Sequence, residues 1–114
     1  MKYLLTLHMT PALWDTLPDD AKQDVYDGHD AFMKNNAAEI VETKALAEPG
    51  ESTTVRVRDG KAQHETGLLN GSDTFFCGYY VVDVPTKTRA IELAAQIPDA
   101  KHTAVEVRPV VHEA

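Results

Sequence analysis

The sequence is poor in cysteine and in cationic side chains. Its 114 residues contain one cysteine, Cys77, which has no second thiol with which to form an internal disulfide. That usage is typical of a reducing compartment, so we expect a cytoplasmic protein. Lysine and arginine number 11 against 18 aspartates and glutamates, a net charge of −7. Because nucleic-acid binding requires clustered cations that neutralise phosphates, this balance argues against a nucleic-acid partner.

Long apolar runs and grouped metal ligands are also missing. No stretch approaches the roughly 20 apolar residues that a membrane-spanning helix needs. The apolar start, MKYLLTLHM, is too short for a signal peptide and is interrupted by His8. His64, His102 and His112 show no HxH or HxxxH spacing of the kind that holds zinc. We therefore expect no membrane contact, no metal site and no cofactor.

The most strand-like stretch is CGYYVVDV, from Cys77 to Val84, in which aromatic and β-branched residues dominate. Tyr79 and Val81 alternate with Tyr80 and Val82, so both faces of this strand carry apolar side chains. Such a strand needs cover on both sides. At 43% hydrophobic content, the chain is expected to form a single domain over residues 1–114 that buries roughly two thirds of its unfolded surface.

Periodicity and turn residues predict the order strand, helix, strand, hairpin, strand, helix, strand. Asp59-Gly60 is a strong signal for a two-residue hairpin turn. The predicted strands are Met1 to Met9, Ile40 to Ala47, Thr53 to Arg58, Lys61 to Glu65, Cys77 to Val84 and Thr103 to Arg108; the predicted helices run from Pro18 to Asn35 or Asn36 and from Pro85 to Pro98. Two strand-helix-strand halves with an inserted β-hairpin make a ferredoxin-like α+β sandwich with both helices on one sheet face.

Polar residues interrupt one of the two predicted helix faces. The core-facing positions of the first helix are Ala21, Val25, His29, Phe32, Met33 and Asn36, and those of the second are Ala90, Ile91, Ala94 and Ala95. Helices that pack on a core normally present an apolar stripe to it. His29 therefore becomes the leading candidate for a functional side chain.

Four blocks carry a resemblance to a known family. MKYLL, TTVRVRDGK, GYYVVDV and AVEVRPV, at these separations, resemble the YCII-related family in its DGPF-domain branch. The resemblance implies a dimeric α/β-barrel fold, no settled reaction, and an active site formed by a histidine and an aspartate that face one cleft. In this sequence the two residues map onto His29, in GHDAFM, and Asp99, in IPDA.

The chain departs from the branch in one loop. Thr66, Gly67, Leu68 and Leu69 stand where the branch has its aspartate-glycine-proline-phenylalanine run, and only the glycine is retained. Gly71 and Asp73 stand where the branch tends to carry a glutamate and a lysine. We therefore do not expect this loop to have the role in this chain that it has in the branch.

The predicted chemistry depends on a His29 and Asp99 contact. A carboxylate beside an imidazole fixes its tautomer and increases its basicity, which suits a general base near neutral pH. The structural alternative is a core histidine that bonds a backbone carbonyl, with Asp99 as a turn residue. His8 and Tyr79 are further candidates for substrate binding, although for His8 an interface between subunits is the favoured interpretation. Cys77 has no base nearby in sequence and is interpreted as a core residue rather than a nucleophile.

Two function classes follow. In the first, a small enzyme uses His29 and Asp99 as an acid–base pair on a small organic substrate. In the second, a non-catalytic module binds a ligand or a regulatory partner through the 67–74 loop. An enzyme predicts a concave pocket with His29 at its base, whereas a module predicts a packed histidine and an exposed loop.

The apolar second face of the sheet predicts a homodimer. Both predicted helices pack on one side of the sheet. No predicted helix therefore covers the other face of the central strand and of the first strand. Soluble monomers seldom expose several hundred Å² of contiguous apolar surface, and each Å² buried contributes about 25 cal/mol. A self-complementary face implies a two-fold partner. We expect the interface to include His8 or its neighbours and the aromatic residues of the central strand.

Overall fold

The computed structural model describes residues 1–69 and 73–113. Its strands are β1 (Lys2–Met9), β2 (Ile40–Ala45), β3 (Thr53–Arg58), β4 (Lys61–Thr66), β5 (Phe75–Asp83) and β6 (Ala104–Pro109). Its helices are α1 (Pro11–Thr16), α2 (Asp19–Asn35), α3 (Lys87–Gln96) and α4 (Asp99–His102), with a 3-10 turn at Pro49–Glu51. Part of the predicted 67–74 loop, including Gly71, lies outside the described residues.

The main sheet has four strands in the order β2-β5-β1-β6, and every neighbouring pair is antiparallel. The first strand and the strand before α3 are therefore central, which is the arrangement of a ferredoxin-like sandwich. This confirms the predicted α+β fold. A bulge between Leu7 and His8 shifts the register of β1 against β5, so that Leu7 lies opposite Gly78 and His8 opposite Phe76.

The hydrophobic core lies between one face of this sheet and the helices. The sheet contributes Tyr3, Leu5, Leu7, Tyr80 and Val82, and the helical side contributes Phe32, Ala90, Leu93, Ala94 and Ile97. On α2, the Phe32 ring meets the Tyr80 ring edge to face at 4.9 Å between centroids. This contact holds α2 directly over β5, the strand that carries Tyr80.

The inner face of α3 differs from the prediction. Ile91, expected in the core, is 50% exposed, whereas Leu93 and Ile97 are buried. Two of the four predicted positions, Ile91 and Ala95, were wrong, because both are exposed. The buried face is Ala90, Leu93, Ala94 and Ile97, which follow the i, i+3, i+4, i+7 spacing of a helix face.

A polar contact joins the two long helices. Asn36, buried at the end of α2, donates from its side-chain nitrogen to the Phe32 carbonyl at 3.0 Å and to the Gln96 side chain at 2.9 Å. An amide on the apolar stripe is thereby satisfied, as buried polar groups usually are. The contact fixes the end of α2 beside the end of α3.

The hairpin of β3 and β4 forms a separate two-stranded sheet. Asp59 and Gly60 both have positive φ angles, 53° and 75°, as the two-residue turn predicted from Asp59-Gly60 requires. In the described part of the chain no strand pairing connects this hairpin to the main sheet. Val55 is 63% exposed and Val57 is 61% exposed, so the hairpin adds little to the core.

The other face of the main sheet, called here the open sheet face, is formed by Leu4, Thr6, His8, Phe76, Tyr79 and Val81, which pair across β1 and β5. The His8 and Phe76 rings lie 5.9 Å apart, and Phe76 is 43% exposed. Charged residues flank the apolar centre, and one pair, Arg108 and Glu106, is joined at 2.6 Å. Within residues 1–69 and 73–113, both long helices pack on the opposite side.

Candidate functional site

A direct hydrogen bond joins the two residues predicted to form a pair. His29 Nε2 lies 2.7 Å from Asp99 Oδ1, and the two side chains are 20% and 5% exposed. The helical period of α2 places His29 on the same inner face as the buried Val25 and Phe32. Asp99 follows Pro98 and begins the short helix α4. The tertiary fold thus brings together side chains that are 70 positions apart in sequence.

The Tyr80 hydroxyl forms a hydrogen bond with the second nitrogen of the imidazole. It lies 2.7 Å from His29 Nδ1. The strand periodicity predicted only that Tyr80 lies on an apolar face, so this contact was not predicted. A signal for it was present, because a buried tyrosine hydroxyl needs a hydrogen-bond partner, and His29 is a polar group on the helix that covers this face.

The two hydrogen-bond partners of His29 together indicate its tautomer. Burial raises the pKa of Tyr80 to about 12, with the nearby charges of Asp99 and Asp30 acting in the same direction. Tyr80 therefore keeps its proton at neutral pH, and its hydroxyl can donate to an unprotonated Nδ1. A carboxylate only accepts hydrogen bonds, so Nε2 donates its N–H to Asp99. In this tautomer Nδ1 accepts the Tyr80 O–H, and both ring nitrogens are satisfied.

A cavity of about 540 Å³ adjoins these three side chains. Its volume lies within the range of small-molecule sites. Its apolar wall includes Leu7, Met9, Trp14, Val25, Met33 and Phe75, and its polar residues include His29, Asp30, Lys44, Glu48, Tyr80 and Asp99. Asp30 and Glu48 are exposed, whereas Asp99 and Tyr80 are buried. The cavity therefore has a hydrogen-bonded polar group at its base and acidic side chains at its edge.

Cys77 also lines this cavity but is a thiol at neutral pH. Burial raises its pKa to about 11, and the charge of Asp99 adds to the effect. Its sulfur lies 3.4 Å from the Leu7 carbonyl, a weak hydrogen bond in which the S–H donates. Because the thiolate is the nucleophilic form, the site favours Cys77 as a wall residue rather than a reacting group.

His8 and Tyr79, predicted to bind substrate, lie on the open sheet face and not at this cavity. His8 Nε2 is 2.8 Å from the Thr6 hydroxyl, and the Tyr79 hydroxyl donates to Glu42 at 2.8 Å. Both side chains point away from the His29 and Asp99 pair because neighbouring positions on a strand alternate between faces. The structure therefore does not bring them into the candidate site.

Residues 1–69 and 73–113 contain neither a cluster of metal-ligand side chains nor a helix of membrane-spanning character. In that part of the chain no three His, Cys, Asp or Glu side chains converge as metal ligands. None of the helices described is long and apolar enough to cross a bilayer.

The arrangement can take up and return a proton at the base of an apolar cavity. The structural alternative expected a backbone carbonyl as the partner of His29, but the partners are the Asp99 carboxylate and the Tyr80 hydroxyl. A proton that reaches the imidazole forms a cation directly beside Asp99. That ion pair stabilises the protonated ring, as a general base requires.

Comparisons with known proteins agree with this architecture. A family model described as the YCII-related domain matches residues 1–114. A search of curated proteins found no match. A solved structure, 5-chloro-2-hydroxyhydroquinone dehydrochlorinase from Burkholderia phenoliruptrix in complex with 2,5-dihydroxybenzoquinone, is similar with a TM-score of 0.55 at 14% identity. The alignment covers 99% of this chain and 96% of that one. At this identity the similarity establishes a shared fold.

Proposed function

The chain belongs to the YCII-related domain family, and from that premise we propose that it is a small enzyme. In this proposal His29 and Asp99 act as an acid–base pair on a small organic substrate bound in the cavity. The observation that carries it is the 2.7 Å contact between His29 Nε2 and Asp99 Oδ1 beside a cavity of about 540 Å³. The non-catalytic alternative called for a packed histidine, and the adjoining cavity favours the enzyme.

The proposed chemistry is proton transfer at carbon or oxygen. The imidazole takes a proton from the substrate, and the Asp99 carboxylate stabilises the resulting imidazolium. The same imidazolium then returns the proton to another atom of the substrate. General acid–base catalysis of this kind contributes about 10²- to 10⁴-fold, and the cavity adds a position in which the reacting atoms are held together.

The cavity suits an uncharged molecule that contains one ring. Its wall includes the aromatic rings of Trp14 and Phe75, and its charged edge includes Asp30 and Glu48. Lys44 lines the same edge, so two carboxylates and one ammonium group leave it with a net negative charge. That charge disfavours an anion relative to a neutral molecule. The relative with the shared fold is named for a six-membered aromatic substrate and is bound to a six-membered quinone. A ring of that size is therefore the first substrate class to test.

Three further features belong to the same proposal. Membership of the DGPF branch rests on the four sequence blocks and the spacing around Gly67. A homodimer of the dimeric α/β-barrel type rests on the open sheet face, which bears the exposed Phe76 and which neither long helix covers in residues 1–69 and 73–113. The cytoplasmic location rests on the single cysteine, Cys77.

The test is hydrogen–deuterium exchange at carbon in cyclohexane-1,2-dione, an uncharged six-membered ring whose C–H hydrogens exchange through its enol. Proton NMR in D₂O follows the loss of the C–H signals with and without protein. We expect the wild-type protein to accelerate exchange, and His29→Gln to lower that acceleration at least about 100-fold.

His64→Gln is the matched control, because His64 is an exposed histidine on β4, away from the cavity. It should retain the wild-type rate. An equal rate for His29→Gln and wild type would contradict the proposed function.

A further inference from the structure

Both ring nitrogens of His29 are occupied before any substrate arrives. Nε2 is 2.7 Å from Asp99 and Nδ1 is 2.7 Å from the Tyr80 hydroxyl. A general base needs a free lone pair within hydrogen-bond reach of the proton that it removes. A substrate can therefore reach His29 only after one partner moves aside or through one of the partners.

Neither partner is placed to move aside. Taken over the whole residue, Asp99 is 3% exposed and Tyr80 is 2% exposed. Tyr80 belongs to a central strand, lies opposite Leu5 on β1 and packs against the Phe32 ring. Close-packed interiors of this kind hold a large side chain in one rotamer. The hydroxyl of Tyr80 therefore stays within hydrogen-bonding distance of His29 Nδ1.

Tyr80 has the hydrogen-bonding capacity to act as the intermediate group. A phenolic hydroxyl has one proton to donate and lone pairs that accept. In the Nε2–H tautomer of His29 that proton is donated to Nδ1, and Tyr80 itself lines the cavity. Its oxygen can therefore accept a hydrogen bond from a bound molecule while it still donates to the imidazole.

We infer that Tyr80 is the catalytic residue that faces the substrate, and that it relays protons between the substrate and His29. This inference rests on the function proposed above. In the forward step the substrate C–H or O–H bond breaks and its proton goes to Tyr80 Oη. The former Tyr80 proton goes at the same time to His29 Nδ1. The products are a substrate anion, a neutral tyrosine and an imidazolium beside Asp99, and the reverse step restores all three groups.

The acidity of Tyr80 fits a relay and not a tyrosinate base. With a pKa of about 12, Tyr80 is ionised in only about one molecule in 10⁵ at pH 7. A mechanism that waits for a free tyrosinate would start from that small population. A relay instead moves both protons together, so Tyr80 is never left charged in its buried position.

The inference is tested by Tyr80→Phe in the same exchange assay with cyclohexane-1,2-dione. Phenylalanine keeps the ring and removes only the oxygen, which also frees the lone pair of His29 Nδ1. A relay predicts at least a tenfold loss of the His29-dependent exchange rate. An unchanged or faster rate would show that His29 removes the proton directly and would overturn the inference while the proposed function stands.

Two further variants separate chemistry from packing. Tyr3→Phe is the matched control, because Tyr3 is a buried tyrosine on the same sheet face that does not line the cavity. It should keep the wild-type rate. Fluorotyrosine incorporated at position 80 keeps the hydroxyl and makes it more acidic, so a relay predicts restored exchange with an altered pH profile. Fluorotyrosine at position 80 with no more exchange than Tyr80→Phe would contradict the relay.

The tautomer of His29, on which the relay depends, can be measured without any substrate. Nitrogen NMR of the free protein reports which ring nitrogen of His29 carries the proton, and the relay requires the Nε2–H tautomer. Wild-type protein that leaves the probe unexchanged would overturn the proposed function, and an Nδ1–H tautomer would overturn the role of Tyr80.

Discussion

Gly28 on α2 lies directly against Pro98, so that a Cβ atom built on the glycine would come 2.4 Å from Pro98 Cγ. Each of these residues immediately precedes one member of the candidate pair, His29 and Asp99. Glycine inside a helix costs about 1 kcal/mol relative to alanine. The missing side chain at position 28 allows α2 and the segment before α4 to approach closely enough for the 2.7 Å contact between His29 and Asp99.

Gly28→Ala is predicted to separate the pair. The added methyl group overlaps the Pro98 ring, and forcing such an atom into a packed site costs about 1–3 kcal/mol, offset in part by the better helix propensity of alanine. We expect at least a tenfold fall in the exchange rate with a small change in the urea midpoint. Gly50→Ala is the control, because a Cβ at Gly50 would meet nothing within 4 Å. Equal exchange rates for the two variants would contradict this role of Gly28.

Asp99→Asn is predicted to remove most of the activity without changing the shape of the site. The amide oxygen can still accept the His29 Nε2–H, but it carries no charge to stabilise an imidazolium. We expect the exchange rate to fall about 100-fold or more. Asp30→Asn removes a carboxylate from the edge of the same cavity and should have a much smaller effect. The proposal would be in doubt if the two substitutions were equally damaging.

Stability is predicted to fall at alkaline pH because of Tyr80. Its pKa is about 12 in the folded protein against 10.0 for an ordinary tyrosine. Between those values the unfolded chain binds fewer protons than the native protein, so the free energy of unfolding decreases as pH rises. Urea denaturation from pH 9 to pH 11.5 measures the slope.

Tyr80→Phe supplies the comparison for this titration. The variant lacks the group, so its stability should fall less steeply over the same pH range than that of the wild type. Parallel curves for the two proteins would mean that Tyr80 ionises as an ordinary tyrosine does.

The open sheet face is predicted to form the dimer interface. Phe76→Glu places a charge on that face, where Phe76 is 43% exposed. Burying an unpaired charge is costly, so we expect the mass from light scattering to fall to that of a monomer. Ile91→Glu is the control, since Ile91 is 50% exposed on α3. A wild-type mass near 12.6 kDa at micromolar concentration would rule out a tight dimer.

Local patterns were enough to predict the fold class. The alternation in β1, the Asp59-Gly60 turn and the helical spacing of Val25, His29 and Phe32 each report a short-range preference of the backbone or of one amphipathic face. The same reasoning failed in part for α3, where two helix faces share Ala90 and Ala94. Ile91 borders that pair on one side and Leu93 on the other, and the packing against the sheet buries Leu93.

The candidate site was predicted in part. His29 was identifiable as a polar residue on an apolar stripe, and Asp99 followed from the family resemblance. His8 and Tyr79 were expected near the substrate, but strand alternation directs them to the open sheet face. Tyr80 was missed because its ring satisfies the apolar pattern and its hydroxyl leaves no trace in periodicity.

What the sequence determines by itself is therefore the set of elements and which side chains each of them presents to one face. Those properties depend on neighbours within a few positions of the chain. Only the tertiary structure decides that Asp99 and Tyr80 meet the two nitrogens of His29, since these residues lie 70 and 51 positions away. Their contact depends on the approach of Gly28 to Pro98 and on the seating of α2 over β5, which are packing relations between distant segments.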